Sequence, residues 1–253
     1  MVFAHELASD LAQWSGQMAR FSDRFRCIAY DARGYPPSDM PAGDADYEWP
    51  RFVDDIEAMF DGMALQKAWL VGWSMGAYAA LHFALRHPGR LEGLVVVGVG
   101  SGSPVDEIEG FRADMADLAR LYRQEGSEAA AERIASGANR QPLKRNNPEA
   151  WTAWRDALRR RPAEAMARVC ANYQGRRPSL LDFEGELSRL KVPVLILIGE
   201  EDAPCLGISR ALARTIPGAK LRVFPKVGHA PNLEASEAFD REVEAFTRAV
   251  SGD

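Results

Sequence analysis

The stretch Ala68-Trp69-Leu70-Val71-Gly72-Trp73-Ser74-Met75-Gly76-Ala77, continued to His87, decides the fold. A short apolar run, Trp69-Leu70-Val71, enters Gly72-x-Ser74-x-Gly76. The chain then passes directly into Ala77, Ala79, Ala80, Leu81, Phe83, Ala84 and Leu85, good helix formers that stop at His87-Pro88-Gly89. The order is strand, sharp turn, helix. A serine at the apex of such a turn has a strained backbone that projects its hydroxyl, and Gly72 and Gly76 are needed because side chains there would collide. The segment is therefore a nucleophile elbow. Composition alone yields the bare motif in roughly one chain in ten of this length, so its flanking strand and helix carry the weight.

Working outward, strand-like runs alternate with amphipathic segments: Val2 to Ala4, Leu11 to Phe21, Cys27 to Tyr30, Phe52 to Leu65, then Trp69 to Val71 and the elbow helix. Beyond the elbow come strands Leu94 to Val99 and Val194 to Ile198, helix Leu206 to Ile216, strand Leu221 to Phe224 and a last helix, Ser236 to Val250. This alternation predicts an α/β fold, a mostly parallel sheet of about six strands flanked by helices. Between Ser103 and Arg189 the strand pattern stops, and helices broken by Gly126, Gly137, Pro142, Pro148, Pro162 and Gly175 take over. The expected organisation is a core of residues 1–102 and 190–253 with a helical lid, 103–189, inserted over the strand ends where such sheets bind ligands. The lid carries Trp151, Trp154 and the basic series Arg155, Arg159, Arg160, Arg161 and Arg168. That series reads either as a solvated helix face or as an arginine gripping a substrate carboxylate while the tryptophans wall an apolar pocket.

At 253 residues and 47% hydrophobic content the chain can bury one large core. A net charge of −5 without long runs of one sign disfavours nucleic acid or an anionic membrane as partner, leaving small molecules. No apolar run approaches the ~20 residues that span a bilayer, and the first residues lack a signal-peptide pattern. Cys27, Cys170 and Cys205 are odd in number and lack metal-ligand spacing, which points to a reduced cytoplasmic setting with the thiols as small buried hydrophobes. No metal site is expected: His5-Glu6 is not followed by the second histidine of a zinc peptidase motif, since Ser9 stands there. Gly98-Val99-Gly100-Ser101-Gly102 is too short for a dinucleotide fingerprint and reads as the exit from a strand into the lid.

A serine hydroxyl is a poor nucleophile at neutral pH, so an imidazole must take its proton and a carboxylate must orient that imidazole. His229, in Val227-Gly228-His229 beyond the last strand, is the candidate base, whereas His82 and His87 belong to the elbow helix. The loop Gly199-Glu200-Glu201-Asp202-Ala203-Pro204 offers three carboxylates, of which Asp202 is assigned to the imidazole and the two glutamates to solvent or to the next helix's amino end.

The order Ser74, Asp202, His229, with the elbow, Gly199-x-x-Asp202 and Gly228-His229, resembles the α/β-hydrolase superfamily from Val2 to the last helix. Asp31-x-Arg33-Gly34-Tyr35-x-x-Ser38-Asp39 and the lid are similar to its lidded esterases, lactonases, carbon–carbon bond hydrolases and cofactor-free haloperoxidases. The resemblance implies an oxyanion held by the backbone N–H groups of Met75 and Leu7, no cofactor, and acyl chemistry rather than the aspartate chemistry of dehalogenases. Relatives carry His-Gly at the oxyanion loop where this chain has His5-Glu6-Leu7. Glu6 is expected to point to solvent or accept local hydrogen bonds; otherwise it contacts substrate or acts as a second acid or base. With Trp73, Trp151 and Trp154 it completes the candidate substrate-binding set. Val2-Phe3-Ala4 looks like the family's third strand, so that the usual first hairpin is absent; either the true start lies upstream or the sheet is shortened, and Cys27 to Tyr30 then becomes an exposed edge that invites aggregation or pairing with another chain, as in a homodimer. The resulting expectation is a serine hydrolase of a small-molecule ester or lactone. The alternatives are a carbon–carbon bond hydrolase of the same fold and a non-catalytic small-ligand-binding protein.

Overall fold

The computed structural model describes residues 1–252. Its strands are β1 (Val2–Ala4), β2 (Ile28–Tyr30), β3 (Ala68–Trp73), β4 (Leu91–Val97), β5 (Val194–Gly199) and β6 (Lys220–Phe224). They form one parallel sheet in the order β2-β1-β3-β4-β5-β6. Helices cover both faces, so β3 and β5 are buried along their whole length and read as continuous apolar runs. Alternate side chains divide between two cores. Leu70, Leu94, Val96, Val194 and Ile196 face α2 (Trp49–Gly62) and α3 (Met75–Arg86). Phe3, Trp73, Val95, Val97 and Leu197 face the other way, with Phe21 of α1 (Ser15–Phe21) and Phe239, far along the chain.

All strands being parallel, the residues that follow them gather at one edge: His5, Ser74, Gly98, Asp202 and His229. The chain order reverses between β1 and β3, and ligands of such sheets bind in the crevice at that reversal. Several boundaries differ from the expectation. β4 ends at Val97 rather than Val99 because Gly98 (φ +54°) and Gly100 (φ +135°) turn the chain out of the sheet. α2 starts three residues earlier than expected, at Trp49, with Pro50 in its first turn. Leu11 to Phe21 divides into a short 3₁₀ turn, Leu11–Trp14, and α1.

Between β4 and β5 the chain is helical: α4 (Ile108–Ala135), α5 (Gln141–Asn146), α6 (Pro148–Arg159), α7 (Ala163–Arg168) and α8 (Glu184–Leu187). α4 breaks at Gly126, whose φ of +83° and ψ of −177° no helix accommodates. α7 runs on into a π-helical turn, Val169–Gln174. After β5 come α9 (Ala203–Thr215), α10 (Pro231–Glu234) and α11 (Ser236–Ser251), which carries Phe239. Among the described residues no helix is long and apolar enough to cross a membrane.

Candidate active site

Ser74 sits between β3 and α3 with φ +52° and ψ −108°, a conformation that costs on the order of 1–3 kcal/mol for a residue with a Cβ. The turn is tight on both sides. A Cβ at Gly72 would lie 2.6 Å from the Gly76 carbonyl oxygen, and one at Gly76 would lie 2.5 Å from the carbonyl oxygen of Ala4. Backbone bonds from Ser74 N–H to Val97 O (2.8 Å) and from Gly76 N–H to His5 O (3.1 Å) fix the elbow between β4 and the end of β1.

His229 lies on the loop between β6 and α10, whose backbone is held at several points around it. Its N–H donates to Asn139 O (3.0 Å), and its carbonyl accepts from Trp73 Nε1 (2.7 Å). The Glu234 carboxylate takes the N–H groups of both neighbours, Gly228 (2.8 Å) and Ala230 (3.0 Å). The imidazole is packed so close to Gly98 that a Cβ there would meet its ring at 3.2 Å. Since Gly98 follows the residue that bonds Ser74 N–H, the ring lies beside the elbow. His229 Nδ1 and Asp202 Oδ2 are 2.7 Å apart. Among the described residues the Ser74 hydroxyl makes no hydrogen bond.

Asp202 is fully buried at the amino end of α9 and accepts a second bond, from Asn139 Nδ2 (3.2 Å). Burial alone would raise its carboxyl pKa, but His229, Asn139 and Arg140 outweigh burial and hold it below the usual carboxylate range. Glu201 pairs with Arg145 on the surface, and Glu200 accepts from Lys226 N–H, also exposed. Cys205 lies close enough to Asp202 and His229 to suggest a cation site, but burial pushes its thiol well above the ordinary range.

The second arm of the site is the loop after β1. His5 is buried; its Nδ1 lies 2.8 Å from Glu6 O and its Nε2 accepts from Ala32 N–H (2.9 Å). Both bonds suit a neutral ring protonated on Nδ1, and burial lowers its pKa. Holding the Glu6 carbonyl turns the Leu7 N–H of the same trans peptide the opposite way. Two buried tyrosines brace the two expected donor residues: Tyr35 Oη donates to Leu7 O and Tyr173 Oη to Met75 O, each at 2.7 Å. Tyr173 belongs to the π-helical turn, a feature that recurs at functional sites. Neither Leu7 N–H nor Met75 N–H has a partner among the described residues.

Glu6 is the largest correction. Instead of facing solvent it is 1% exposed and forms a bidentate ion pair with Arg140, also buried, near the start of α5. Trp154 Nε1 adds a bond to Glu6 Oε1 (3.3 Å), and Oε2 lies 3.9 Å from His229 Nε2. Burial would raise the Glu6 pKa; Arg140 and then His229 more than offset it, so the carboxylate stays ionised. The Arg140 guanidinium lies 5.0 Å from the Trp154 ring centre and 5.8 Å from that of Trp73.

Trp73 itself is wholly buried under the histidine loop, a support rather than a pocket wall. Trp151, half-buried on α6, has Lys144 and Arg155 over its ring. Four of the expected arginine series pair elsewhere: Arg155 with Asp156, Arg159 with Glu132, Arg161 with Asp10 and Arg168 with Glu164, while Arg160 is exposed. The arginine beside Glu6 and Asp202 is Arg140, which with Asn139 lies outside the residues that the sequence pattern singles out.

A family model described as alpha/beta hydrolase fold matches residues 1–236. The 3-oxoadipate enol-lactonase 2 of Acinetobacter baylyi is 26% identical over 98% of this chain and 88% of its own length. The 2-hydroxymuconate semialdehyde hydrolase of Pseudomonas putida is 28% identical over 90% of this chain and 78% of its own. Among solved structures, a malate-bound thermophilic esterase from Thermogutta terrifontis superposes with a TM-score of 0.87 at 29% identity, covering 98% of this chain and 89% of that one. With its parallel sheet, its elbow and a match over all but the last residues, the chain belongs to the alpha/beta hydrolase fold family.

Proposed function

We propose that the chain is a serine hydrolase of small esters or lactones that works through an acyl-enzyme intermediate. The observation that carries this reading is the His229–Asp202 pair, 2.7 Å apart, held beside a serine whose backbone is strained to φ +52°. The lactonase and esterase among its relatives support the same class of substrate.

In this mechanism His229 Nε2 takes the Ser74 proton as Oγ bonds to the substrate carbonyl carbon. Asp202 holds the imidazole with Nδ1 protonated and stabilises the imidazolium. The carbonyl oxygen becomes an oxyanion facing the N–H groups of Met75 and Leu7, each worth roughly 3 kcal/mol of barrier. Collapse breaks the bond to the alkoxide, which leaves with the proton from His229. Water, deprotonated by the same imidazole, then attacks the acyl carbon; the carbon–Oγ bond breaks, the acid leaves, and His229 returns the proton to Ser74 Oγ. The open Ser74 to His229 contact is compatible with this sequence, because such bonds often close only with substrate bound.

A fluorophosphonate probe should label Ser74 in the native chain, and Ser74→Ala should lose both labelling and hydrolysis of short-chain esters by orders of magnitude. A folded protein that neither labels nor turns over esters, lactones or a dienoic diketone would remove this reading.

A further inference from the structure

Arg140 lies beside the His229–Asp202 pair, close enough to lower the Asp202 pKa, and a guanidinium there would ordinarily serve to grip a substrate carboxylate. In this chain that position is already taken. Both Nη atoms bond Glu6, and the Trp154 and Trp73 rings lie within 6 Å of the guanidinium. Glu6 is in turn held by both Nη atoms of Arg140 and by Trp154 Nε1. Its Oε2 stands 3.9 Å from His229 Nε2, at the place a scissile group must approach. A substrate carboxylate arriving there meets a neutralised arginine and, close by, two buried anions, Glu6 and Asp202. An uncharged acyl group meets no such opposition.

We infer that Glu6 is a built-in counter-ion filling the carboxylate slot of Arg140, and that it makes the site selective for uncharged acyl groups over anionic ones. This rests on the hydrolase reading above. Glu6 acts on substrate choice and not on bond making, so its removal should change which acyl group is accepted rather than abolish chemistry.

The test uses a matched pair of esters, p-nitrophenyl pentanoate and mono-p-nitrophenyl glutarate, which differ by one terminal carboxylate. The native chain should favour pentanoate in kcat/KM by at least about tenfold. Glu6→Gln should move that ratio at least about tenfold towards glutarate, mainly through a lower KM for the anion. Glu6→Gln/Arg140→Gln, which leaves no unpaired buried charge, should fall between the two. Titration calorimetry with free glutarate reads the slot without turnover, and Glu6→Gln should bind it at least about tenfold more tightly than the native chain. A native preference for glutarate overturns the inference. So does an unchanged ester ratio in the double variant, or in a folded Glu6→Gln. If the native chain cleaves neither ester and resists the fluorophosphonate, the hydrolase reading fails, and the calorimetric comparison decides the slot by itself. Equal glutarate affinity in the native chain and the double variant then overturns it, even where Glu6→Gln does not fold.

Discussion

Asn139, in the helical segment between β4 and β5, meets the Asp202–His229 pair at two points: its Nδ2 donates to Asp202 Oδ1 at 3.2 Å, and its carbonyl accepts the backbone N–H of His229 at 3.0 Å. The backbone contact survives substitution, whereas the side-chain bond to a buried carboxylate does not. Hydrogen bonds to charged groups contribute about 1.5–3 kcal/mol. Asn139→Ala should therefore lower kcat about 10- to 100-fold on a short ester, with KM little changed. A kcat within twofold of the native value would show that Asp202 is positioned without it.

The loop 199–204 holds three carboxylates, and geometry separates them. Asp202→Asn should reduce kcat by about 10³- to 10⁴-fold, because an amide can stabilise neither the right tautomer nor the imidazolium. Glu201→Gln breaks only a surface pair with Arg145, the kind worth about 0–1 kcal/mol, and should leave turnover within twofold. Steady-state kinetics on the two variants side by side test the assignment, and the reverse pattern would move the acid to Glu201.

What could be read from the sequence was whatever is enforced locally. The elbow shows itself because a turn that tight tolerates only glycine at positions 72 and 76. Asp202 and His229 were readable because each follows an apolar strand, and parallel strands bring their ends together. The ion pair of Glu6 is not legible because an isolated glutamate in a loop is ordinarily solvated, and its partner lies 134 residues away. Nothing in Ala138-Asn139-Arg140 marks Arg140 as different from the arginines around it, since helix periodicity orders side chains on one helix and says nothing of where that helix docks. The burial of Trp73 is not legible either, because a tryptophan next to the elbow serine can face either side of the sheet, and only the pleat decides which.

The acid stability of the fold should depend on His82. Its ring is enclosed by Trp49, Tyr78 and Phe183, and its Nε2 has no partner. Burial, helped by Arg86 and Arg177, pulls its pKa down to about 3. The unfolded chain titrates this group near 6.5, so between about pH 6.5 and about 3 only the unfolded state carries the proton. Stability contributed by the neutral ring is thus complete above about pH 6.5 and is lost as pH falls, by about 1.4 kcal/mol per unit within the window. Burial of His5 acts in the same direction. In His82→Phe the drop in unfolding free energy between pH 7.5 and pH 5 should be smaller than in the native chain by about 2 kcal/mol. Equal drops in urea titrations of the two proteins would assign the pH dependence elsewhere.

The backbone of Ser74 should carry a measurable cost. At φ +52° and ψ −108° any side chain is strained, and only glycine escapes. Ser74→Ala keeps the strain and Ser74→Gly releases it, against the roughly 0.5–1 kcal/mol by which glycine favours the unfolded state. Ser74→Gly should consequently be more stable than Ser74→Ala by about 1 kcal/mol, although neither hydrolyses esters. Equal urea midpoints would mean that the turn relaxes once the hydroxyl is gone.

Gly76 and Gly16 offer the opposite comparison, two helical glycines of which only one is confined. At Gly76 an added methyl would lie 2.5 Å from Ala4 O and 2.7 Å from His5 O, backbone atoms fixed by the sheet and by the bond from Gly76 N–H to His5 O. At Gly16, in α1, it would meet nothing within 4 Å. Gly16→Ala should stabilise the fold by about 0.4–1 kcal/mol through loss of unfolded-state freedom. Gly76→Ala should cost about 3 kcal/mol or more, since relief requires moving the loop after β1 away from α3. That movement displaces Leu7, so ester turnover should fall further than the stability loss alone explains when both are measured well below the melting temperature. A stable, fully active Gly76→Ala would mean that the two segments part freely, and that their close approach is not what aims the oxyanion donors.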